Sequence, residues 1–161
     1  MPQIIAQPLT HAAFAAFGDV LEVQGAPDKL INAGQCGRYH DRARLDFGPG
    51  GQAGISLFDA EPRALPYLLD MVERHPEGSQ AFLPMHLNPW LVIVAESGEI
   101  PGAVHAFFAA PGQGVNFHRG TWHGVLTPLA RPGLFAVVDR IGDTANLQEY
   151  RFKTPLEILA P

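Results

Sequence analysis

Two polar segments stand out in an otherwise apolar chain: Glu73 to Gln80 (ERHPEGSQ) and Pro111 to Gly124 (PGQGVNFHRGTWHG). The first offers a carboxylate, an imidazole and an amide at Glu73, His75 and Gln80. The second offers His118 after a glycine-rich turn, with Asn116 two residues before it. Imidazoles titrate near neutrality, so they can move protons or bind metal ions as neutral ligands. A neighbouring carboxylate can orient an imidazole or act as a base itself. Glu73, His75, Gln80 and His118 together form a donor set suited to a divalent cation with open positions. The same histidines also suit a metal-free pocket in which they are hydrogen-bonded only. Trp122 suits a core or pocket wall, and His123 suits pocket and surface equally.

These side chains need strands to aim them. Val115, Phe117 and Arg119 alternate with Asn116 and His118, the period of a strand, so Asn116 and His118 share one face. The same period puts Met71, Glu73 and His75 on one face and Val72 and Arg74 on the other. Gly112 and Gly114 permit turn geometry closed to bulkier residues. Leu65, Leu68, Leu69 and Val72 also fit a helical repeat, so the segment from Leu65 to His75 reads as a helical start passing into strand near Met71. Thr10 is a good cap for a short helix from His11 to Phe17, with Leu9 and Phe14 at staple spacing.

Further strands are expected at Asp19–Val23, Ile55–Phe58, Ser79–Met85, Trp90–Ala95, Val104–Ala109, Gly114–Phe117 and Leu134–Asp139. Gly25 to Gly37 reads as a loop, and the tail as a strand (Glu149–Phe152) with a short closing helix. Many short strands between Gly/Pro turns indicate a mainly β sandwich or barrel with a few short helices.

The 161 residues match one domain of ordinary size, residues 1–161, and 47% of them are hydrophobic, enough for a real core. A net charge of −5 without a basic cluster argues against a nucleic-acid partner. No apolar run approaches membrane-spanning length, and MPQIIAQPLT lacks the marks of a signal peptide. One cysteine, Cys36, cannot form an internal disulfide, which fits a cytoplasmic protein. Nine arginines accompany only Lys29 and Lys153. Arginine provides a fork of donors for an anionic ligand, and Arg38 (in Arg38-Tyr39-His40-Asp41) and Arg140 are candidates for that role. Alternation turns Arg74 and Arg119 away from Glu73 and His118.

The two polar segments resemble the two motifs of the cupin barrel, a double-stranded β-helix or jelly roll, with Glu73 and Gln80 standing where a cupin usually has His and Glu. With their neighbours they resemble the ureidoglycolate lyase (ureidoglycolate hydrolase) family more specifically. The shared features are AFGDV (Ala16–Val20), RYHD (Arg38–Asp41), ERHP with Gly78 and the stretch to Met85, GQGVNFHRG with Trp122 and His123, and Asp139–Arg140. The resemblance implies a cupin-like fold, a homodimer, and cleavage of ureidoglycolate to glyoxylate and urea in allantoin (purine) breakdown.

That reaction needs a base for the hydroxyl proton, an acid for the departing ureido nitrogen and a cation for the carboxylate. On this resemblance His118, His75 and Glu73 are the candidate catalytic residues. Arg38, Tyr39, His40, Gln80, Asn116 and Arg140 are the candidate substrate ligands, and Glu73, His75, Gln80 and His118 would hold any divalent metal ion. The chain departs from the family pattern at Asp59, Gly124 and Ile141, where relatives often have a basic residue, His and Gly. Rival readings are another cupin enzyme (a metal-dependent isomerase or dioxygenase), an amidohydrolase releasing ammonia, and a sensor domain. The length leaves no room for the DNA-binding domain that a sensor usually carries.

Overall fold

A computed structural model describes residues 1–161. Its strands are β1 (Gln3–Ile5), β2 (Gln7–Pro8), β3 (Gly18–Leu21), β4 (Lys29–Ile31), β5 (Cys36–Arg38), β6 (Gln52–Asp59), β7 (Tyr67–Arg74) and β8 (Gln80–Pro84). They continue with β9 (Trp90–Ala95), β10 (Val104–Ala109), β11 (Gly114–Phe117), β12 (Trp122–His123), β13 (Thr127–Pro128), β14 (Leu134–Ile141) and β15 (Gln148–Leu159). One helix, α1 (His11–Phe14), lies near the N-terminus. Thr10 caps it by accepting a hydrogen bond from the Ala13 amide at 3.2 Å.

Two sheets make a nearly closed barrel. The larger runs β1-β15-β7-β12-β9-β10-β2, with β13 also on β9; the smaller runs β3-β11-β8-β14-β6. Strand alternation decides what enters the barrel. Trp90, Val92 and Val94 of β9 meet Phe82, Val115, Phe117, Phe135 and Val137 of the smaller sheet in one buried cluster. Leu9 and Phe14, the staple pair, close its end. Leu91, Ile93 and Ala95 take the other side of β9 and join Leu69, Val72, Trp122 and Ile158 in a second cluster.

Three expectations from the sequence need correction. Tyr67 to Arg74 is strand throughout, because pairing with β15 outweighs the helical spacing of its leucines; Leu68, which a helix would bury, is 52% exposed. The tail has no closing helix. Instead β15 runs to Leu159, where parallel pairing with β1 engages its last residues. The span from Gly25 to Gly37 is more than a loop, since β4 and β5 pair as a hairpin. No helix is long and apolar enough to cross a membrane.

Candidate active site

Glu73 on β7 and His123 on β12 are directly opposed Cα partners, so their side chains share a face. His75, two residues beyond Glu73, returns to that face. The three ligand-type atoms of Glu73, His75 and His123 lie within 4.8 Å of one another. The His123 ring stacks on Phe117 of the smaller sheet, with centroids 4.3 Å apart and planes 3° apart. The His75 ring lies 5.2 Å from that of His123. Phe117 belongs to the barrel core, so His123 faces the barrel side of its sheet.

Hydrogen bonds fix the orientation of both rings. His75 Nδ1 faces the Asn146 carbonyl at 2.7 Å, and His123 Nδ1 faces the Gly124 carbonyl at 2.9 Å. A carbonyl only accepts, so each Nδ1 is the donor and each Nε2 is turned away from that bond. Both Nε2 atoms are buried and have no hydrogen-bond partner. Burial, reinforced by the neighbouring His75, pushes the His123 imidazole down to about 3 against the opposing Gly124 hydrogen bond. Burial pushes the Glu73 carboxyl above its ordinary range; His75 opposes this and Glu149, its partner across β15, adds to it. Two imidazole Nε2 atoms without partners beside a carboxylate form a donor set that suits a divalent metal.

His118 does not join this cluster, contrary to the sequence expectation. It does share a face with Asn116, but that face is the outer one. Val115 and Phe117 are the apolar residues of β11 and take the interior, which leaves the polar pair outside. There Asp19 Oδ2 accepts from Asn116 Nδ2 (3.0 Å), His118 Nε2 (3.0 Å) and the Arg44 amide (2.8 Å). Arg44 Nη2 donates to His118 Nδ1 at 3.2 Å. Burial would raise the Asp19 carboxyl, but the hydrogen bonds from Asn116, Arg44 and His118 outweigh it and hold it below its ordinary value. Asp19, Asp41, Arg42, Arg44 and His118 line an open groove of about 600 Å³.

The other candidates divide between the two sides of the smaller sheet. Gln80 is a Cα partner of Phe117 and lies on the barrel side with Phe82; its Nε2 donates to Asp139 Oδ2 at 3.0 Å. Arg140 points outward, and its Nη1 donates to the Phe47 carbonyl at 2.7 Å. Arg119 forks onto Asp46 at 2.7 and 2.8 Å. Asn116, His118, Arg119 and Arg140 therefore all grip one strap, residues 44–51. Arg38 is exposed on β5, Tyr39 donates to the Gly25 carbonyl at 2.7 Å, and the His40 amide is held by Asp28. Tyr39 lines an outer apolar groove with Leu21, Leu83 and Val138, so the structure does not bring this hairpin to the Glu73 cluster.

His123 is the residue that strand reasoning left open between pocket and surface and omitted from the candidate site. Alternation along β11 predicts the face of residues up to His118 only. The turn through Gly120, at φ +75°, resets the phase before β12. The apolar Trp122 beside it was a usable signal: a strand that buries Trp122 on one side must turn His123 to the other. Among the family departures, Gly124 packs so closely that a Cβ would stand 3.2 Å from that of Ile93. Asp59 and Ile141 are both exposed at the ends of their strands.

A β-barrel that turns two imidazoles and a carboxylate into its interior defines a protein of the cupin class. Comparison with known proteins narrows this. The family model described as ureidoglycolate lyase matches residues 1–159. The chain is 60% identical to the ureidoglycolate lyase of Rhodobacter capsulatus over 97% of this chain and 98% of that one. It is 50% identical to the ureidoglycolate lyase of Mesorhizobium japonicum across the full length of both. The chain belongs to the ureidoglycolate lyase family.

Proposed function

We propose that this chain cleaves ureidoglycolate to glyoxylate and urea, with the Glu73–His75–His123 cluster as the reaction centre. The observation that carries this is the pair of buried, unpartnered Nε2 atoms beside the Glu73 carboxylate, in a chain of this family. Those atoms fit a divalent cation, held by His75 Nε2, His123 Nε2 and one Glu73 oxygen. When bound, the cation supplies positive charge for the substrate carboxylate and acidifies the adjacent hydroxyl.

The chain's own residues then have a simple task. The reaction moves one proton from the substrate hydroxyl to the ureido nitrogen as the C–N bond breaks and C–O becomes C=O. Glu73 is half-buried, so its second oxygen can receive that proton and return it to the leaving nitrogen. His75 is held by Asn146, and His123 by Gly124 and Phe117, so neither imidazole needs to reorient. In this reading His118 anchors the strap and is not a proton carrier. Product analysis tests the reaction. Glyoxylate and urea in equal amounts support the lyase; ammonia and carbon dioxide would indicate an amidohydrolase.

The same reading includes a homodimer in the cytoplasm, serving allantoin breakdown. Supporting assembly, the outer rows of the smaller sheet are apolar, with Ile55 and Leu57 on edge strand β6 exposed to 76% and 66%. Apolar edges and patches of this kind mark association surfaces. Light scattering should give twice 17.4 kDa; a 17.4 kDa species at micromolar concentration would refute the dimer. The single free cysteine, Cys36, is exposed, which suits a reducing compartment.

A further inference from the structure

Gln80 presents an anomaly. It is only 6% exposed, yet its Oε1 has no hydrogen-bond partner. A buried acceptor left bare is costly and calls for a reason. Its other end has a partner. Nε2 donates to Asp139 Oδ2 at 3.0 Å, and the two residues are directly opposed on β8 and β14. A carboxylate accepts and does not donate. Asp139 therefore decides which way the amide points: the nitrogen must face Asp139, and the oxygen must face away.

The oxygen lies on the barrel side of the sheet. Gln80 is the cross-strand partner of Phe117, whose ring carries His123. Its bare acceptor thus lies on the same side of the smaller sheet as the Phe117 ring on which His123 stacks. An acceptor there suits an N–H donor on the ligand and repels a carboxylate. We infer that Asp139 is a positioning residue that fixes Gln80 as an acceptor, and that this pair selects the ureido end of the substrate by its terminal –NH2. The inference rests on the proposed lyase reading, and it adds a specificity element that no strand pattern discloses.

The test uses two unreactive probes and the full-length protein. N-carbamoylglycine carries a carboxylate and a ureido group but lacks the hydroxyl, so it cannot be cleaved. N-acetylglycine replaces the terminal –NH2 with a methyl group. Wild type should bind the first about tenfold more tightly, the worth of one buried hydrogen bond. Gln80→Leu should abolish the preference. Asp139→Val should abolish it too, by freeing the amide to turn, with the fold checked by circular dichroism. Asp139→Asn should fall between, because its side chain can offer Gln80 either an acceptor or a donor. The double variant Gln80→Leu with Asp139→Val should be no worse than Gln80→Leu alone, since Asp139 acts through Gln80.

No preference in wild type would overturn the inference, as would a full preference in Gln80→Leu or in folded Asp139→Val. If Asp139→Val does not fold, a full tenfold preference in Asp139→Asn overturns it. Turnover of ureidoglycolate by wild type is scored separately. Turnover without the probe preference sinks only this inference, whereas the preference without turnover sinks the lyase reading and leaves the acceptor role of Gln80 standing.

Discussion

Acid should destabilise this protein through His123, and a variant can isolate the effect. The imidazole is 2% exposed, stacked on Phe117 and held neutral, with its pKa pushed from 6.5 down to about 3. Below pH 6.5 the unfolded chain therefore takes up a proton that native His123 refuses. Stability falls as pH falls, by about 1.4 kcal/mol per pH unit for one proton, until the native group titrates near 3. At pH 5 the accumulated loss is about 2 kcal/mol, a sizeable part of the 5–15 kcal/mol typical of a domain. His123→Phe keeps the stack on Phe117 and removes the titration. Its packing cost shifts stability by the same amount at every pH, so only the slope matters. Urea unfolding of both proteins at pH 7, 6 and 5, with a chelator present so that bound metal does not compete with the proton, reads that slope. Wild type should lose about 2 kcal/mol relative to the variant from pH 7 to pH 5. Parallel losses in the two proteins would refute the claim that His123 is held neutral by burial.

Three other outcomes follow from the geometry. His118→Ala should lower stability by about 1–2 kcal/mol, or roughly 2–8 °C in melting point, while turnover stays within about threefold; a hundredfold loss of turnover with the fold intact would return His118 to the reaction centre. Protein purified without added chelator should carry one divalent ion per chain by mass spectrometry, and Glu73→Gln or His75→Ala should lower both metal content and turnover, the latter by at least about 10²-fold; full activity after chelation would remove the metal from the proposal. Gly124→His should cost about 1–3 kcal/mol by overpacking against Ile93 and Leu69, measured as a lower urea midpoint, and an unchanged midpoint would show that the second core yields there.

Much of the strand order was legible in the sequence. Trp90–Ala95, Val104–Ala109 and Gly114–Phe117 appear where alternation and Gly/Pro turns placed them. Thr10 caps its helix, and Asn116 and His118 do share a face. These are local properties, set by side-chain period and turn chemistry within a few residues. So is the closeness of Glu73 to His75, two positions apart on one strand.

What the sequence could not decide was which face of each strand became the interior. That choice belongs to the whole sheet. Val115 and Phe117 joined the apolar residues of β8, β9 and β14 inside the barrel and sent His118 out to Asp19 and Arg44. Past the Gly120 turn the phase began again, and pairing of β12 with Glu73 on β7 and with Val94 on β9 turned His123 inward in its place. The same long-range pairing made Tyr67–Arg74 a strand despite its helical spacing, because β15, some eighty residues later in the chain, supplies hydrogen bonds that no local pattern records. Sequence alone thus determined which residues could do chemistry, and the pairing of distant strands decided which of them meet.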